Sequence, residues 1–100
     1  MDRKTMLGGL FFGMLLFTGC GESPDVPAMK EGLVRSGMPE DEADCFAEKL
    51  GDTVAGEAYN YMSALMGEGV DEKDAITKAR RKYGAEFRSG VTEARKACAE

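Results

Sequence analysis

Three cysteines, Cys20, Cys45 and Cys98, carry the most specific chemistry in this 100-residue chain, which has no His and no Trp. A cysteine can ligate metal, attack a substrate, exchange disulfides or accept a lipid. None of the three lies in a CxxC pair, and no His exists to complete a zinc site. Ser23, Ser36, Ser63 and Ser89 lack a His base. Asp71-Glu72-Lys73-Asp74 lacks the Gly and the spacing of a calcium loop. Paired carboxylates for acid–base work need a cleft, which so small a chain rarely offers. The sequence therefore predicts no enzyme activity, no cofactor and no metal site. With 18 acidic residues against 13 basic ones, it also predicts no nucleic-acid partner.

The first twenty residues suggest the use of one cysteine. Arg3 and Lys4 make a basic start, and Met6 to Phe17 is an uncharged apolar run. That run is shorter than the roughly 20 residues a membrane-spanning helix needs, and it matches an export signal instead. It ends in Phe17-Thr18-Gly19-Cys20, which resembles the lipobox of bacterial lipoproteins, with Phe where Leu is usual. The resemblance covers residues 1 to about 21. It implies a diacylglyceryl group on the Cys20 thiol, cleavage after Gly19, and acylation (palmitate or a similar chain) of the new amino terminus. Gly21, in place of the Asp that retains such proteins in the inner membrane, implies the periplasmic face of the outer membrane in a host that has one.

If Cys20 carries lipid, Cys45 and Cys98 remain as an even pair in a compartment that permits disulfides. The processed chain of 81 residues is short enough for a covalent staple to matter. Its charge is uneven. Residues 21–74 hold 14 acidic and 4 basic side chains, and residues 75–100 hold 7 basic and 3 acidic. Two readings follow: the halves attract and pair, or the basic half addresses an anionic surface.

These residues must be positioned by helices, because no strand-length alternation is present. Gly21 to Asp25 has linker composition. Pro27 to Ser36 predicts a short helix, with Pro27 at its start and Gly37 at its stop. Pro39 to Met66 is helical by period, with Glu40, Asp41, Glu42 and Asp44 where the helix dipole favours acids. One stripe holds Ala43, Phe46, Ala47, Leu50, Val54, Ala58, Tyr61 and Leu65. Gly51-Asp52 predicts a break within it. Tyr59, Met62 and Met66 form a second apolar side. Either the first helix covers it with Met29 and Leu33, or it is a partner-binding patch. Gly67 to Val70 predicts a loop and Asp71 a cap. A last helix follows, with Ile76, Ala79, Tyr83, Phe87, Val91, Ala94 and Cys98 on one face and Gly84 and Gly90 within it. The cluster Lys78, Arg80, Arg81 and Lys82 suits a solvated face or lipid phosphates.

The sequence thus predicts an all-α protein, a small bundle of three or four helices built as a helical hairpin with a short N-terminal helix. Residues 1–19 are expected as signal peptide, 20–26 as a lipidated tether and 27–100 as the helical domain. A hairpin turning between Met66 and Asp71 would place Glu57 opposite Arg80 as an ion pair. It would also bring Cys45 to Cys98 only if the chain breaks near Gly51. The expected role is that of a lipid-anchored envelope protein that binds or supports an envelope protein partner without catalysis. Alternatives are an exclusion or immunity lipoprotein that blocks a foreign toxin, phage or plasmid component, and a cell-wall tether acting through the basic last helix.

Overall fold

The computed structural model describes residues 22–99, so the lipobox and Cys20 lie outside the described residues. These residues form five α-helices: α1 (Val26–Arg35), α2 (Glu40–Thr53), α3 (Gly56–Gly67), α4 (Glu72–Tyr83) and α5 (Ala85–Ala99). The chain is all-helical as its periodicity predicts, but with five helices where three or four were expected.

The expected break between α2 and α3 and the unexpected one at Gly84 both have local causes. The α2–α3 break falls at Val54–Ala55, not at Gly51-Asp52. Gly51 stays helical, with the Pro24 ring and the Tyr59 ring packed over it at van der Waals distance from where a Cβ would stand. Val54 then turns extended, with φ −126° and ψ 160°, while its N–H still donates to the Leu50 carbonyl. The second break is at Gly84, whose φ of +88° and ψ of −162° exclude L side chains. One residue suffices to end α4, and α5 resumes at Ala85. The apolar stripe of Tyr83 and Phe87 continues across it, which is why the periodicity reads as one helix.

Other ends follow ordinary capping chemistry. Asp25 accepts from the Ala28 N–H at 3.2 Å to start α1, and Asp71 accepts from the Asp74 N–H at 3.0 Å to start α4. Helices α1 and α3 stop with the same pair of bonds. Gly37 and Met38 donate back to Val34 and Leu33, and Gly69 and Val70 to Met66 and Leu65. Glu40, Asp41 and Glu42 occupy the first turn of α2.

The helices pack as a closed ring. α1 lies against α2 and α3, α3 against α4, α4 against α5, and α5 returns to α2. Inside are Met29, Leu33, Phe46, Leu50, Tyr59, Met62, Met66, Phe87 and Val91, with alanines at the tightest contacts. The ring has two distinct ends. One end gathers the α1–α2 turn, the α3–α4 loop and the close of α5. There Ser36 Oγ accepts from the Glu72 N–H at 3.1 Å, and Arg35 donates to the Met66 carbonyl at 2.8 Å. The other end gathers the start of α1 and the two short breaks.

Two close approaches set the helix spacing. At Gly32 of α1, a Cβ would stand 2.8 Å from Met66 Cβ of α3. At Gly90 of α5, a Cβ would strike Val54 Cγ1 and the Thr53 carbonyl oxygen of α2. The Thr53 hydroxyl locks that approach by donating to the Gly90 carbonyl at 2.9 Å. Glu57 and Arg80, expected as a pair, are instead both exposed, and no ion pair joins them. The buried line of α4 runs through Ala75 and Ala79. Arg80 stands about 100° off that line and turns outward.

Glycine in a helix interior ordinarily costs about 1 kcal/mol relative to Ala, so Gly→Ala should stabilise where space allows. Gly90→Ala is expected to destabilise instead, by about 1–3 kcal/mol, because a backbone carbonyl must move. Gly67→Ala, which meets nothing within 4 Å, is expected to be neutral or to gain up to about 1 kcal/mol. Urea unfolding midpoints of the two variants check this.

Candidate functional site

Residues Glu22 to Asp25, part of the expected tether 20–26, are strapped onto the bundle. Asn60, in the middle of α3, holds them with its whole amide. Its Nδ2 donates to Glu22 Oε1 at 3.0 Å and to the Ser23 carbonyl at 2.9 Å, and its Oδ1 accepts from the Asp25 N–H at 2.9 Å. The Glu22 carbonyl sits where a Cβ of residue 56 would be, so it is the absence of a side chain at Gly56 that admits it. Pro24 covers Gly51. Asn is a weak interior helix residue because its side chain competes for backbone groups. Here that competition is directed at another segment. Its placement between Tyr59 and Tyr61 is the only local signal of this role in the sequence.

Beside the strap, Tyr61 of α3 and Tyr83 of α4 meet edge to face, with centroids 5.7 Å apart. Lys82 Nζ lies 4.9 Å from the Tyr61 ring and 5.8 Å from the Tyr83 ring. The Tyr83 phenol is held above its ordinary range, first by partial burial and then by Glu57, Glu22 and Tyr61.

Tyr59, Met62 and Met66, the candidate partner-binding patch, are fully enclosed. The α1 helix covers them with Met29 and Leu33, so this stripe is core and not a docking surface. The hydroxyl of Tyr59 donates to the Ala47 carbonyl at 2.7 Å and ties α3 to α2. Burial first, and then the charges of Asp25 and Glu48, push its pKa well above the usual tyrosine value.

Cys45 of α2 and Cys98 of α5 form a disulfide, with Cα atoms 5.8 Å apart. The break after Thr53 is what permits it. As a separate helix, α2 turns Cys45 toward the last turn of α5. An open groove of about 650 Å³ runs along the bond, lined by Met38, Phe46, Glu72 and Arg95 among others. Arg95 pairs with Glu72 at 2.8 Å and lies 5.7 Å from the Phe46 ring centroid. Its charge is already satisfied.

Among the described residues no cluster of three metal-ligating side chains occurs, and no helix is long and apolar enough to cross a membrane. Comparison with family models, with curated proteins and with solved structures returns no significant match for this chain.

A tyrosine with a raised folded-state pKa favours folding fully below its unfolded pKa of about 10, and that contribution is lost as pH climbs toward the folded value. Stability is therefore expected to decline above about pH 10 as the unfolded chain releases the Tyr59 proton. Tyr59→Phe should cost about 1 kcal/mol at neutral pH and flatten the alkaline decline. Urea midpoints measured across that pH range for both proteins check the sign.

Proposed function

We propose that the mature chain is a small envelope protein, anchored by lipid on Cys20, with a non-catalytic binding or structural role. In a host with an outer membrane, Gly21 directs it there, facing the periplasm. The observation that carries this reading is how near the acceptor lies to the strap. Cys20 of the lipobox resemblance is two residues before Glu22, which is bound to α3 through Asn60.

The chemistry suits a permanent surface display. Each buried methylene contributes about 0.8 kcal/mol, so one acyl chain holds weakly while several hold firmly. The disulfide between Cys45 and Cys98 accords with an oxidising compartment. The bundle presents charged and polar side chains outward, with acids at the start of α2 and cations at the end of α4. Contacts of this surface with an envelope partner would be polar and salt-sensitive.

Replacing Cys20 is the test. Cys20→Ala is expected to abolish incorporation of labelled palmitate and to leave a larger, unprocessed precursor. A Cys20→Ala chain that still takes up label would overturn the anchor.

A further inference from the structure

The strap limits where lipid can lie. Cys20 is two residues before Glu22, and two residues span at most about 7 Å. Glu22 is fixed at Gly56 and Asn60, so an acyl group on Cys20 emerges at the end of the ring that holds the two helix breaks.

That end differs chemically from the opposite one. It carries the half-buried Tyr61–Tyr83 pair with Lys82 above both rings, and Arg80 and Arg81 stand exposed in the same last turn of α4. Tyr rings with a polar tip favour the boundary between headgroups and hydrocarbon, and long cationic side chains reach phosphates from there. Glu22, Asp25, Asp52, Glu57 and Glu86 share this end with them, so it is mixed in charge. The opposite end gathers Glu40, Asp41 and Glu42 of α2 with Glu68, Asp71, Glu72 and Asp74 around the α3–α4 loop, and Arg35, Lys73, Arg95 and Lys96 stand among them. What distinguishes the two ends is the aromatic pair with its adjoining cations at one and the acidic first turns of α2 and α4 at the other. Arg95–Glu72 is the one ion pair among the described residues that joins the acidic and basic halves of the chain, so the last-turn cations of α4 remain available to solvent.

We infer that the bundle sits on the bilayer in one orientation, with Tyr61, Tyr83 and Lys82 in the headgroup layer and the acidic end directed away. This rests on the reading of Cys20 as the lipid acceptor. The strap supplies the constraint, and the aromatic pair supplies the contact.

The absence of Trp makes a direct test available. Tyr83→Trp, Tyr61→Trp and, for the opposite end, Glu68→Trp are each made in the full chain, processed and lipidated in its host. Each is reconstituted into phosphatidylethanolamine–phosphatidylglycerol vesicles whose acyl chains carry bromine near the headgroup. Intact mass reports acylation of Cys20. Indole emission is expected to be quenched in the Tyr83→Trp and Tyr61→Trp variants and unquenched in Glu68→Trp. Acylated protein with equal emission at both ends would overturn the orientation and leave the anchor standing. A mass without acyl groups would overturn both. Use of both tyrosine positions keeps the test decisive if either variant fails to fold.

Discussion

The contact of α2 with α5 is the constraint on which the rest of the ring depends. Without it, α5 would keep α4 as its one other substantial neighbour among the described helices, and the ring would stay open. The contact is held at both ends by different means. Cys45–Cys98 joins the helices covalently at one end. At the other, Gly90 lets the Thr53–Val54 backbone descend onto α5, and the Thr53 hydroxyl bonds the Gly90 carbonyl. A bond closing a loop of this size is worth roughly 4–5 kcal/mol in the chain-entropy description, a large share of what so small a core supplies. The cross-link encloses α3 and α4 entirely, so it restricts most of the chain in the unfolded state.

Fixing that seam gives the molecule two ends of different character. The end with the disulfide is acidic and grooved. The end with the helix breaks receives the strap and carries aromatic and cationic side chains. Asn60 ties residues 22–25 to the second end, because three hydrogen bonds to one amide convert a linker-like segment into part of the fold.

Much of this was legible in residue patterns. The helical class, the first helix, the caps at Asp71 and Gly37, the core stripes and the Cys45–Cys98 pairing follow from periodicity, composition and cysteine count. The break between α2 and α3 was required by the pairing itself, although its position shifted three residues to Val54. The break at Gly84 was hidden because a single residue with positive φ interrupts the backbone without interrupting the apolar stripe. Glu57 and Arg80 do not pair for a related reason. Alanines at 75 and 79 carry the buried line of α4 and leave the neighbouring charge outside. The covering of Tyr59, Met62 and Met66 by α1 depended on helix packing, which periodicity leaves open between two answers. Asn60 and Gly56 act on a distant segment, and such long-range partners leave no local mark beyond an unfavourable residue in a helix.

The most direct test of the ring is the state of the two thiols. The full chain is unfolded without reductant, treated with an alkylating agent and weighed intact, then treated again after reduction. The account predicts that neither Cys45 nor Cys98 is alkylated before reduction and that both are alkylated after it. Alkylation of both thiols in the unreduced chain would contradict the seam that closes the ring.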